Sequence, residues 1–424
     1  MRIEIRGARV VDPASGRDEK TSLWIAEGRI AGVGRALEGF RADETIDAAG
    51  LVACPGLVDL SARLREPGFE YKATLESEMA AALAGGVTTL ACPPDTDPPL
   101  DEPGLVEMLK RRAAGLDGAR VHPLGALTTG LKGERLAEMV ELTEAGCIGF
   151  FQGNAPLPDN GTLLQAMRYA ATFGFTVWLR PQDAALAGGG VAHDGEVATR
   201  LGLAPVPVIA ETVAVRTIVE LMEGTGARVH LARLSAGAAL DIVAQARSRG
   251  APLSCDVGVH HLHLCDRDVA GFDANANLSP PLRDPSDRER LRRALAEGVI
   301  DAVCSDHTPV DDDAKLVPFG EAEPGATGLE LLLPLTLQWG RESGLGLAAT
   351  LATVTCNPAR VLGAAAGSLA VGAPADVCLF DPSRSWVVKA DSLASQGKNT
   401  PFLGLELTGR VVRTVVGGRT VHSA

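Results

Sequence analysis

Between Gly56 and about residue 345, short apolar runs alternate with amphipathic stretches, and this alternation constrains the fold more than any other feature. The runs begin at Gly56 (GLVDLSARL), Thr88 (TTLACPP), Arg120 (RVHPLGAL), Cys147 (CIGFFQG), Thr176 (TVWLRPQ), Arg228 (RVHLARLS), Leu253 (LSCDVGVHH) and Asp301 (DAVCSDH). Each has the length of a strand. Between them lie helical patterns that close on glycine: TLESEMAAALAGG from Thr74, GERLAEMVELTEAG, GTLLQAMRYAATFG and SDRERLRRALAEG. Thr74 reads as an N-cap and Gly85-Gly86 as a C-cap signal, because a hydroxyl satisfies free amides and glycine tolerates the terminating conformation. Strands joined by helices of this length pair in parallel. Eight such units in fewer than 300 residues predict an eight-stranded β/α barrel over residues 56–364.

The two ends differ. Residues 1–55 and 365–424 carry short alternating strands with glycine turns, among them GSLAVGAPADVCLF, SWVVKA and GRVVRTVVGGRTV. Neither end is long enough for a comfortable domain, so together they predict one composite β-sandwich.

Composition narrows the partners. The formal net charge of -13 argues against nucleic acid and anionic membranes. No apolar stretch reaches membrane-spanning length, and MRIEIRGARVVD alternates like a strand without a signal peptide's apolar block, so a cytoplasmic protein is expected. The eight cysteines include no CxxC pair and sit mostly in apolar runs, as reduced core residues would.

Five passages carry a resemblance to cyclic amidohydrolases: PGLVDLSARLREPGFEYKATLES, AAALAGGVTTLACPPDTDPPLD, SDHTPVDDDAKLVPFGEAEPGATGLE, GKNTPFLGLELTGRV and the tail GSLAVGAPADVCLFD. The chain resembles the dihydroorotase family in particular, over nearly its whole length. Active members of that family read His-x-His-Leu-Arg after the first barrel strand, and the two histidines bind catalytic zinc. Here the two slots hold Ser61 and Arg63, within otherwise intact flanks. The resemblance implies further ligands at the ends of the fourth, fifth, sixth and eighth strands. Those positions hold Gln152, Arg180, Arg233 and Asp306, so only the aspartate is kept. A guanidinium stays protonated and cannot ligate a metal, and a binuclear site needs several anionic or imidazole ligands. The zinc site is therefore expected to be lost, with no cofactor in its place.

Substrate contacts implied by the resemblance are eroded too. Arg65 is kept where the family grips a carboxylate, whereas Asp95, Ser279 and Val310 replace two asparagines and a histidine. His260, His261 and His263 form a cluster, with His261 and His263 on one face if the segment is a strand. A hydrogen-bonded structural role is expected for them. A buried Asp306 without metal needs another cation, and Arg63, Arg180 and Arg233 at the same barrel mouth are the candidates. Three arginines over-compensate one aspartate, so at least one should turn to solvent or meet Asp95 or Asp183.

The resemblance extends to non-catalytic dihydroorotase-like chains, which form dimers that tie together aspartate carbamoyltransferase trimers. It implies a pseudoenzyme that supports the transferase in de novo pyrimidine synthesis, with the transferase catalytic chain as partner. The alternative is an active hydrolase of a cyclic amide such as a dihydroorotate, dihydropyrimidine, hydantoin or allantoin. A third reading is a small-molecule sensor that uses the old cavity.

Overall fold

All eight apolar runs become the strands of one barrel in the computed structural model, which describes residues 1–35 and 37–424. The strands are Leu57–Asp59, Val87–Cys92, Arg120–Pro123 with its continuation Gly125–Ala126, Phe150–Phe151, Thr176–Leu179, Arg228–Leu231, Leu253–Gly258 and Ala302–Cys304. Each pairs in parallel with its neighbour, the third strand passing from one sheet segment to the next. The ring closes just beyond the first and eighth strands, where Arg63 donates its amide to the His307 carbonyl and His307 donates to the Ser61 carbonyl. Closure thus falls on residues of the predicted site.

Strand alternation divides the core. Val58, Leu124, Phe151, Trp178 and Cys304 pack together on one side. Their chain neighbours Leu57, Phe150, Val177 and Val303 pack instead among the helix residues. The first set fills the barrel, a packed core rather than a pore. Helices occupy the crossovers as the glycine signals predict. Thr74 caps the helix Leu75–Ala84 in a reciprocal box with Ser77, and Gly85 ends it. Asp159 and Asp284 cap the helices Asn160–Phe173 and Pro285–Ala296. One pattern is shorter than expected: GERLAEMVELTEAG yields a helix only over Met139–Ala145. Its first residues are held instead against the third strand's loop, where Thr129 donates to the Arg135 carbonyl.

Both chain ends enter one eight-stranded sheet, so the two ends build a single composite unit as expected. Its first strand, Arg2–Asp12, bends at an irregularity between Ile5 and Ala8. Gly7 sits there with a φ of 73°, in the region that glycine favours. The bend lets one strand pair with Glu44–Asp47 before it and with Val52–Pro55 after it. Val52–Pro55 then pairs antiparallel with Val377–Val387, which joins the two ends. The sheet encloses its own core of Ile3, Ile5, Val10, Leu23, Ile25, Val377 and Val415. Between Lys389 and Thr400 the chain leaves this sheet and packs on the barrel, where Ser395 and Gln396 bond to Glu78, and Asn399 to Thr308 and Gly325.

Seven of the eight cysteines are buried and Cys356 is partly so, all as free thiols. Burial pushes the thiols of Cys92, Cys147 and Cys255 up to about 12, so they are inert at neutral pH. No helix among the described residues is long and apolar enough to cross a membrane.

Candidate functional site at the barrel mouth

The strand ends bring Arg63, Arg180, Arg233 and Asp306 to one mouth. Asp306 and Arg233 are 7 % and 2 % exposed. Arg233 donates from Nη1 to Asp306 Oδ1 at 2.9 Å, and Arg63 reaches the same oxygen at 3.4 Å. The expected pairing of Asp306 with guanidinium charge is therefore present. Arg63 is shared: its Nε and Nη2 form a fork on Asp95 Oδ2 at 3.0 and 2.9 Å, and Nη1 also meets Thr308 Oγ1 at 3.0 Å. Burial alone would lower the Arg63 guanidinium, but Asp95 and Asp306 outweigh it and hold it above its ordinary range. Burial likewise works to raise the Asp95 carboxyl, and Arg63 outweighs it, leaving the group below the usual range.

Arg63 thus meets Asp95, one of the outcomes expected of three arginines around one aspartate, and Arg180 finds no carboxylate. Arg180 meets neither Asp306 nor Asp95 nor Asp183, and bonds to two neutral oxygens, Gln182 Oε1 at 2.5 Å and the Asn154 carbonyl at 3.2 Å. Asp183 is occupied as the cap of the short helix Ala184–Ala187. Burial, with Arg233 and Arg63 beside it, pushes Arg180 down to about 9. Its Nε and that of Arg233 are buried without partners.

The other predicted residues have turned to their own chain. Gln152 is fully buried, accepting from Thr128 Oγ1 and donating to the Leu131 carbonyl, each at 2.9 Å. Ser61 Oγ is buried without a partner. Arg65 donates to the Pro309 carbonyl at 2.7 Å. The Ser279 carbonyl accepts from Arg233, and Val310 is buried with its amide on Asn399. The three histidines lie on a turn, Val259–Leu262 and its end, because the strand stops at Gly258. The expected shared face is therefore absent, and each ring meets a different carbonyl: Thr327, Pro280 and Leu335. Burial lowers all three, His261 and His263 to about 4, so they are neutral at pH 7.

Three residues went unassigned in the sequence. Asn154 bridges Arg180 and Arg233, its side-chain oxygen accepting from Arg233 at 2.6 Å. Asp256 accepts the Arg233 amide at 2.7 Å and holds the buried His230, whose other nitrogen meets Ser254. Thr308 completes the Arg63 contacts. Nothing local marks these residues, since their roles arise only when separate strands meet.

The backbone of the mouth keeps an unusual shape. Arg65, Arg233 and Asp306 have φ values of 65°, 59° and 44°, conformations that cost a non-glycine residue of order 1–3 kcal/mol. A zinc pair does not suit the side chains that this backbone presents. The ligand positions offer a hydroxyl, a committed amide, three guanidiniums and one carboxylate that already holds two cations. Elsewhere His193, Asp284 and Asp287 place ligand atoms within 4.8 Å of one another. Asp284 there caps a helix and Asp287 accepts the Gly237 amide.

Comparison with known proteins agrees with this fold. Residues 50–238 match the family model described as dihydro-orotase-like, and residues 209–421 match the amidohydrolase family. The chain is 47% identical over 422 residues to the dihydroorotase-like protein of Pseudomonas aeruginosa, covering 100% of both chains. It is 41% identical to a Geobacter sp. protein named dihydroorotase, again over 100% of each. Among solved structures, the L-hydantoinase (dihydropyrimidinase) of Arthrobacter aurescens superposes with a TM-score of 0.89 at 25% identity, over 99% of this chain and 96% of that one.

Proposed function

Because the chain belongs to the dihydroorotase-like family of amidohydrolases, we propose that it is a non-catalytic member that structurally supports aspartate carbamoyltransferase in pyrimidine biosynthesis. The observation that carries this reading is the ion cluster in the mouth. Asp306, the one kept ligand position, is neutralised by Arg233 and Arg63, so the site is balanced by guanidiniums. Such a site has no group to lower the pKa of a water nucleophile. The scaffold around it is nonetheless whole, with a filled barrel and a complete composite sheet. A fold kept while its chemistry is removed points to a role carried by its surface, here as dimers joining transferase trimers in the cytoplasm.

The test has two arms. Purified protein should hold well below one zinc per chain and should not hydrolyse dihydroorotate with zinc or manganese added. Mixed with the same organism's aspartate carbamoyltransferase, it should elute as a larger complex and raise the transferase's stability. Independent elution at micromolar concentration would overturn the partnership, and stoichiometric metal linked to activity would overturn the non-catalytic reading. In that event the chain would be a cyclic-amide hydrolase, a second reading favoured by the relatives named dihydroorotase and by the hydantoinase likeness.

A further inference from the structure

Four guanidiniums, of Arg63, Arg65, Arg180 and Arg233, stand at the mouth against two carboxylates, Asp95 and Asp306. The imbalance is not spread evenly. Arg63 has both carboxylates and Arg233 has one. Arg65 lies 3.9 Å from Glu323, which is shared with Lys72. Arg180 has none: its two terminal nitrogens meet the amide oxygen of Gln182 and a backbone carbonyl, and its Nε meets nothing. Glu211 is the next carboxylate within electrostatic reach, but Ser235 and Ala236 take its oxygens and Arg283 stands 3.8 Å away. A poorly solvated cation without a counter-charge is unfavourable. The surroundings are still built around it, since Asn154 ties it to Arg233.

We propose that the barrel mouth binds a small oxyanion, a carboxylate or a phosphate, on Arg180 and Arg233. Arg180 is the partly exposed member of the group, so an anion can reach it from solvent, while Arg233 lies 2 % exposed behind it. The ligand oxygen takes the place of Gln182 Oε1. That exchanges a neutral acceptor for a charged one, and charge-assisted hydrogen bonds are roughly twice as strong as neutral ones. The guanidinium fork of Arg180 supplies further donors, and Arg233, tied to it through Asn154, adds positive charge. The same residues that disqualify the mouth as a zinc site therefore invert its preference, from a dication to an anion. This inference concerns the isolated chain and does not require the transferase, so either proposal can fail without the other.

Thermal unfolding and calorimetric titration of the whole chain with inorganic phosphate and with succinate, against chloride at matched ionic strength, test it. At ten times the dissociation constant, an anion bound only by the folded chain should raise Tm by about 1.5–2 °C. Arg180→Met should abolish that rise, and Arg180→Lys, which keeps the charge without the fork, should weaken binding about tenfold. A response to phosphate alone or to succinate alone supports the site and assigns its chemistry. No anion-specific response, or one that Arg180→Met leaves intact, overturns the proposal. If Arg180→Met does not fold, unweakened binding by Arg180→Lys overturns it.

Discussion

Ser305, Asp306 and His307 are consecutive, yet they serve two polar clusters that have gone different ways. Ser305 and His307 face a closed network. The Ser305 hydroxyl and amide bond to the buried Asp59, and His307 bonds to Glu78, which also accepts from Ser77, Ser395 and Gln396. Asp306 faces the mouth and its arginines. In the first cluster every carboxylate oxygen has its donors within the fold. In the second, four guanidiniums stand against two carboxylates, and Asp95 Oδ1 and two arginine Nε atoms are buried without partners. The difference teaches what each region is for: the first staples barrel and tail together, while the second keeps an open electrostatic demand that a folding role alone does not explain.

Breaking the staple should have the largest effect. Glu78→Ala removes the acceptor of two serines, a backbone amide and His307 in a fully buried place, and should destabilise the chain by about 3–5 kcal/mol in urea unfolding. The acid limb of stability sharpens the same point. Burial works to raise the Glu78 carboxyl, but His307's hydrogen bond and charge, with Ser395 and Ser77, bring it below its ordinary 4.5. A lowered folded value means stability that is complete above about pH 4.5 and lost as pH falls through that lower value. Glu78→Gln should therefore flatten the acid limb of urea unfolding; an unchanged limb would remove Glu78 from the account.

On the mouth side, Asp306→Ala should destabilise by about 3 kcal/mol, at the low end for a broken buried pair because Arg63 keeps Asp95. It should do so with no effect on dihydroorotate hydrolysis, which should already be nil. Arg180→Met should leave stability in anion-free buffer unchanged or raise it by about 1 kcal/mol, since a partly buried cation without a counter-charge gives way to a methionine of similar reach. A loss above 2 kcal/mol would show that Arg180 belongs with the staple. The smallest expected effect is none. Ser61→His with Arg63→His rebuilds the His-x-His pair but leaves Gln152, Arg180 and Arg233, so zinc retention and hydrolysis should both stay absent by elemental analysis and assay.

Much of this was legible in the sequence because it depends on local period and on single residue types. Short apolar runs fixed the strands, and Thr74 announced its helix. The substitutions at 61, 63, 152, 180 and 233 could be read one position at a time. What was not legible depends on which strand ends meet. Asn154 looks like any loop asparagine until Arg180 and Arg233 close on it. Which arginine would be left without a carboxylate was not legible: it is Arg180, because Asp183 is spent on capping a helix and Asp95 is held by Arg63. The His260–His263 segment reads as strand by composition, yet the chain turns after Gly258, where a Cβ would sit 3.6 Å from that of Asp306.

The joining of the two chain ends in one sheet has a consequence in time. Cys54 pairs directly with Cys378, so the strand Val52–Pro55 waits for a partner roughly 300 residues downstream. At 5–20 residues per second, synthesis leaves that edge without its partner for tens of seconds. Long-range pairing of this kind also slows folding, because loop closure precedes the contacts that reward it. The edge is short and fully buried in the finished fold, and during synthesis it is the place where a nascent chain would be most exposed to wrong pairing. Lengthening the interval, by an insertion in a barrel loop far from the mouth, should lower soluble yield before it lowers the stability of the protein that does fold.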